Sequence, residues 1–370
     1  MRKIMEFGVL FVSALTITLS PLRAQTSSSS FIGGFNKVDR IASTVPLNGD
    51  VNPYGVAVVP HSIGKLIQGH ILVSNFNNRA NLQGTGITIV QIGPAGSFSV
   101  FAKIKGGLTG PCPGGVGLTT ALAVLRTGWV IVGSLPTTDG TAATAKAGCL
   151  IVMNKWGVVM ETLSGSFQGV RINGPWDMTA LDLGPVAELF VTNVLNGTVA
   201  AKGSVVHHGT VIRIVLSIPP SGKPPQETLR TLIGSGFAER TDPSALVIGP
   251  TGVGLASNGT LYVDDTLANR IAAIPRATAR FGSAGTGTTV SKRGAINGPL
   301  GVAVAPNGDV LTTNAGDGNL VEVSPGGSQT VKTIDTSGAG AGTLFGLAVS
   351  PRNNGVYFVD DGDNTLDILH

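Results

Sequence analysis

Past residue 24, every apolar run in this chain is broken within about ten residues by Gly, Pro, Asn or a charge. Short apolar runs bounded by turn residues read as β-strands. Two segments align without gaps over sixteen positions: Pro250–Asp265 (PTGVGLASNGTLYVDD) and Pro299–Asn314 (PLGVAVAPNGDVLTTN). Each runs Pro-x-Gly, a short strand, an Asn-Gly turn, a second strand, and a polar residue at its end. Asn258-Gly259 and Asn307-Gly308 predict two-residue hairpin turns, because Asn and Gly tolerate the positive φ such turns require. Looser copies are Pro53–Val58 with Ile71–Asn75, Ala121–Leu125 with Trp129–Ser134, Pro175-Trp176-Asp177 with Leu189–Asn193, and Phe345–Val349 with Val356–Asp361.

Each of these six units continues into a third strand (Cys149–Met153 and Arg270–Ile274 are examples), and five add a fourth, such as Val158–Thr162. Four antiparallel strands at this period make a propeller blade. The sixth unit stops at His370 after its third strand, while Asn36–Ser43 (NKVDRIAS) precedes the first blade with no other partner. That segment is expected to supply the missing outer strand and remove an exposed sheet edge. The fold expected is all-β: a six-bladed β-propeller of four-stranded antiparallel blades, closed by an N-terminal strand, over residues 36–370. Insertions crowd into the first four units.

The two clean units resemble NHL repeats, whose Pro-x-Gly-Val-Ala-Val strand, second strand ending in Asp, and following Arg-Ile strand match Pro250–Leu255, Asp264-Asp265 and Asn269-Arg270-Ile271. The resemblance implies the fold and only loosely a function, because propellers host hydrolases, lyases, receptors and scaffolds alike.

Glycine accounts for 53 of 370 residues and charged residues for 12 %. The glycine sits in turns without a three-residue period, which excludes collagen. Arg2 and Lys3 precede an uncharged stretch, Phe7–Leu19, then Ser20–Ala24: the pattern of a cleaved signal peptide over 1–24, too short to span a bilayer. Its removal takes Arg2, Lys3 and Arg23 against Glu6, so the formal charge of +4 becomes smaller still. No concentrated basic face points to nucleic acid. A Ser-rich linker, 25–35, leads into the propeller. The chain is therefore expected to be a secreted or periplasmic monomer without a membrane span.

Lead-in loops to the inner strands and loops after the second strands open on one face, the mouth. Asn75, Asn193, Asp265, Asn314 and Asp361 end second strands there, as does Ser134, and Asp177 begins an inner strand. Such a ring of oxygens suits a hard cation such as Ca²⁺, while Asn and Asp also end strands to cap the following turn. The gluconolactonase-like propellers, which this chain distantly resembles, hold a catalytic metal at this place; no glutamate early in blade 1 matches theirs. Tyr54, Trp176 and Phe345 take corresponding positions before their inner strands, either as a stacking surface for a sugar-like ligand or as wedges between blades. The His207-His208 pair lies in the blade 3 insertion, where it can meet a transition metal or stay solvated. Nothing around it reproduces the histidine site of streptogramin-lyase-like propellers, a second distant resemblance. Cys112 and Cys149 flank one blade on the mouth side, so an exported chain can bridge them; the alternative is two buried thiols. No nucleophile elbow, His-Glu-x-x-His or phosphate loop is present. The function expected is a non-enzymatic scaffold binding a small-molecule or protein ligand at the mouth. The alternative is a Ca²⁺-dependent hydrolase or lyase at the same place. No cofactor is firmly implied.

Overall fold

A computed structural model describes residues 29–106, 108–335, 337 and 342–370; the expected signal peptide lies outside them. Six antiparallel sheets form the blades of a ring, with inner strands Val51–Val58, Leu118–Val124, Gly174–Asp182, Pro250–Leu255, Pro299–Val304 and Leu344–Val349. The strand Val38–Ser43 pairs antiparallel with Thr365–Leu369, so the last blade is completed by the start of the chain, as expected. Among the described residues, no helix is long and apolar enough to cross a membrane.

The Pro-x-Gly signature is a β-bulge. Pro53 faces Asn75 and Val56 faces Val73, so three residues of the inner strand oppose two of the second, and blades 4 and 5 repeat this at Pro250 and Pro299. The extra residue is aimed at the ring axis. The following glycine lets neighbouring blades touch: a Cβ on Gly301 would stand 2.1 Å from the Phe345 carbonyl oxygen, and one on Gly346 would stand 2.3 Å from that of Tyr54. Blade 3 departs from the rule, with Asp177 where blades 1, 4, 5 and 6 carry glycine, and blade 2 lacks the glycine as well, reading Leu118-Thr119-Thr120-Ala121.

Buried hydroxyls tie the blades together. Thr313 accepts from Gly301 N–H at 3.1 Å and donates to the Phe345 carbonyl of the next blade at 2.8 Å. Ser74 does the same between Gly55 N–H and the Thr119 carbonyl, and Thr192 between Asp177 N–H and the Thr251 carbonyl. The apolar core is correspondingly divided into clusters between adjacent blades, such as Phe190, Val211, Phe237, Val253 and Ile274 between blades 3 and 4.

Three features differ from the sequence expectation. The Asn-Gly turns are three-residue loops: Gly259 N–H donates to the Ala256 carbonyl and Ala256 N–H to that of Thr260, with only the glycine left-handed (φ +79°). Asn258 Oδ1 accepts Thr260 N–H at 2.9 Å, which holds the asparagine at negative φ. Residues 30–35 of the Ser-rich linker are packed against blade 5: Ile32 is fully buried, and Glu322 accepts from the Ser30 hydroxyl and from Phe31 and Ile32 N–H at 2.5–2.9 Å. Blade 3 has five strands, because its outer strand Gln226–Asp242 runs on past the blade and turns back as Leu246–Ile248. Cys112 and Cys149 are joined by a disulfide, with Cα atoms 5.2 Å apart.

Candidate functional site

The bulge residues meet on the axis. The rings of Trp176 and Phe345, from opposite blades, lie 6.4 Å apart, and Tyr54 from blade 1 stacks on Phe345 at 3.8 Å and on Phe76 at 4.5 Å. Residues of blades facing each other across a ring can touch only at its centre, so this stack plugs the channel. All three rings are buried. They form part of the core and present no open platform, because the bulge sends position x inward on blades 1, 3, 5 and 6. The blade 3 excursion seals the stack from above: Val247 accepts from Trp176 Nε1 at 3.1 Å, and Leu246 and Val247 pack on the rings.

The Asn and Asp ends of the second strands serve the lead-in loops. Asn193 Oδ1 accepts Asn173 and Gly174 N–H at 2.7 and 3.2 Å, and Asn314 Oδ1 accepts Asn297 N–H at 3.1 Å. Asn75 donates its amide to the Thr44 carbonyl at 3.0 Å. Asp265 pairs with Arg270 Nε at 2.8 Å. Asp177 lies one residue past the plug, on the channel side away from the mouth. Asn75, Asn193, Asp265 and Asn314 are thus engaged with local partners, and no cluster of three or more His, Cys, Asp or Glu side chains at metal-binding distances occurs among the described residues. His207 and His208 are exposed, successive residues of the strand Val206–Ser217, with His208 Nδ1 3.0 Å from the Asn196 carbonyl. Neighbours in a strand face opposite ways, which keeps the two rings apart.

Asp361 opens into a mouth pocket. The pocket, of about 380 Å³, lies off the axis, lined by Asn52, Asn77, Asn81, Gln83, Ser244 and Asp361, with Val51, Arg79 and Asn364. The blade 1 insertion supplies the amides, and the blade 3 excursion supplies Ser244. Gln83 donates its amide to the Pro243 carbonyl at 2.8 Å, locking the two insertions together. Asn77 donates to Asn81 Oδ1 at 2.7 Å. With their NH₂ groups engaged, Asn77 Oδ1 and Gln83 Oε1 are buried acceptors with no hydrogen-bond partner among the described residues. Asn52 and the buried Tyr54 hydroxyl lie beneath, within reach of one another. Asn52 is itself left-handed (φ +64°), its N–H held by Asn364 Oδ1 at 2.7 Å. Burial, reinforced by Asp360 and Asp335, pushes the Asp361 carboxyl up to about 8. Such a group exchanges a proton near neutral pH. Sequence reasoning passed over Asn77, Asn81 and Gln83 because they belong to an insertion; their signal was the amide-rich run Asn75–Gln83 (NFNNRANLQ).

No protein-family model and no curated protein sequence matches the chain. Solved structures do match. A gluconolactonase from Xanthomonas campestris superposes with a TM-score of 0.56 at 14 % identity, over 90 % of this chain and 88 % of that one. A luciferin-regenerating enzyme matches at 0.53 and 9 % identity, covering 90 % and 94 %. A streptogramin B lyase matches at 0.50 and 14 %, covering 90 % and 97 %. The likeness is one of fold.

Proposed function

We propose that this chain is an exported binding propeller whose site is the off-axis mouth pocket around Asp361. Its ligand is a small molecule rich in hydroxyl donors, as a sugar is. One observation carries this reading: Asn77 and Gln83 line the pocket, and each has a buried oxygen with no hydrogen-bond partner among the described residues. A buried acceptor left unmade costs about 1–3 kcal/mol, and the hydroxyls of a ligand answer several at once. The donor set also fits a hard cation in kind, since Ca²⁺ takes carboxylate and amide oxygens. Asp361, Asn52 and Asn77 would hold it, and the bound ion would supply an electrophile for ligand oxygens.

A second reading, a hydrolase or lyase working in the same pocket, is favoured by the Asp361 carboxyl near 8, suited to moving a proton at neutral pH. The likeness to propeller enzymes is compatible with it. Calorimetric titration of the mature chain with neutral sugars and polyols, with and without millimolar Ca²⁺, tests the binding reading. Saturable binding weakened at least tenfold in Asp361→Asn is the expected result. Among the described residues the Asp361 carboxyl makes no hydrogen bond or ion pair, so this variant should fold, with a melting temperature at pH 8 no lower than that of the wild type. Ligand binding that is unchanged in Asp361→Asn places the site elsewhere. Turnover of a bound lactone or ester, lost in the same variant, would favour the second reading over the first.

A further inference from the structure

We propose that the mouth pocket takes one end of an acidic oligosaccharide, whose next unit lies outward over blade 1 with its carboxylate against Arg79 and Lys103. The inference rests on the sugar-binding reading of that pocket and names the class of sugar. A second cavity, of about 560 Å³, adjoins the pocket at the mouth edge of blade 1, and Arg79 lines both. Lys103, from the end of the outer strand of that blade, lines the second cavity. The two cavities run on from each other, as the units of a chain do. Ile87 and Ala80 give the outer one an apolar floor for the C–H face of a sugar ring.

Three observations select an acid. Arg79 and Lys103 are exposed, and neither side chain forms a hydrogen bond or ion pair among the described residues. The Arg79 side chain crosses the backbone at Gly49, left-handed at φ +81°, where a Cβ would stand 2.9 Å from Arg79 Nε. That glycine makes room for the stem, and a guanidinium fork matches a carboxylate with two parallel bonds. Secondly, the acids of the two cavities do not oppose an anion. Asp50 is 3 % exposed and engaged, its Oδ2 accepting Ile87 N–H at 2.9 Å and the Thr88 hydroxyl at 2.7 Å. Asp361, raised to about 8, keeps its proton at neutral pH. Thirdly, blades 1 and 2, from Val51 to Leu163, carry seven Lys and Arg against two acids, Asp139 and Glu161. None of the seven is in an ion pair among the described residues. A nucleic acid is the other polyanion for such a surface, but its bases need an aromatic platform. No aromatic residue lines either cavity, whereas the Asn77 and Gln83 oxygens call for hydroxyl donors.

The test is calorimetric titration of the mature chain with trimers of galacturonate, mannuronate and glucuronate, with their uncharged methyl esters, and with an oligothymidylate. At least one uronate trimer should bind at least tenfold more tightly than its own ester, and added salt should shrink that ratio. Arg79→Gln should cut the ratio about tenfold and Lys103→Gln about threefold. Both positions are exposed, so both variants should fold. Lys103→Gln should leave binding of the esters as it was. Esters that bind as tightly as the acids would overturn the inference while leaving the sugar-binding reading of the pocket in place. Absence of binding by acids, esters and neutral sugars alike would overturn both. A ratio unchanged in Arg79→Gln, or oligothymidylate bound more tightly than every uronate trimer, would also sink the assignment to an acidic sugar.

Discussion

Deleting residues 25–43 from the mature chain is expected to abolish cooperative folding. The deletion strips three supports from blades 5 and 6 together. The outer strand Val38–Ser43 goes, leaving Thr365–Leu369 as an open edge. Ile32, fully buried between Leu311, Leu344 and Phe358, goes with it; its burial is worth about 2–3 kcal/mol. Glu322 then loses the Ser30 hydroxyl and the Phe31 and Ile32 N–H groups. Glu322 keeps the Asn307 amide at 2.9 Å, and each hydrogen bond lost from its carboxylate costs about 1.5–3 kcal/mol. Together these approach the whole stability of an ordinary domain, about 5–15 kcal/mol. Urea unfolding followed by circular dichroism checks this. The milder Glu322→Gln change should lower the midpoint while keeping a single transition. A truncated chain with wild-type m-value and midpoint would contradict the closure described here.

The second large effect is on pH. Burial raises Asp177 and Glu239 to about 7, Asp361 to about 8 and Asp367 to about 6. Each keeps its proton in the folded chain over a range where the unfolded chain has already lost it. The folded state then binds more protons, so stability falls as pH rises from about 4 towards 8 and levels off above. Even one effective unit per group is about 1.4 kcal/mol, or roughly 5 kcal/mol over the four. Glu322 works the other way: its carboxyl is held below its ordinary value despite burial, chiefly by the Ser30 hydroxyl and the Ile32 and Phe31 N–H groups. Its contribution is present above the unfolded value near 4.5 and is lost as pH falls further. The optimum should therefore lie near pH 5, with a melting temperature clearly above that at pH 8. A flat profile between the two would show that these carboxyls ionise freely in the folded state.

Much of the fold was legible because the signals repeat. Pro-x-Gly marks a bulge, and the hydroxyl-Asn pairs Ser74-Asn75, Thr192-Asn193 and Thr313-Asn314 mark the bond to the next blade and the cap on the lead-in loop. The unpaired strand at one end of the chain answered the missing one at the other. Once the strands were placed, Cys112 and Cys149 fell on the mouth side of one blade, within reach of the bridge the structure shows. The site was less legible, for two physical reasons. Alignment shows that Tyr54, Trp176 and Phe345 correspond, but their direction is set by the bulge, which turns them onto the axis. The second reason is that the mouth is shaped by insertions that obey no repeat. The turn at Asp242–Leu246, with Leu246 left-handed at φ +58°, carries Ser244 and Val247 to the centre from blade 3. Nothing in the spacing of the blades foretells that reach. Asp177 was visible as a departure from Pro-x-Gly, and its place below the plug became clear only with the plug itself.

The most direct test of the account is the electron density of mature protein crystallised with millimolar Ca²⁺ and a sugar that binds in solution. The account predicts density off the axis, in contact with Asp361, Asn52 and Asn77, with Tyr54, Trp176 and Phe345 still stacked beneath. A cation on the axis, ligated by Asn75, Asn193, Asp265 and Asn314 after the stack has opened, would contradict it.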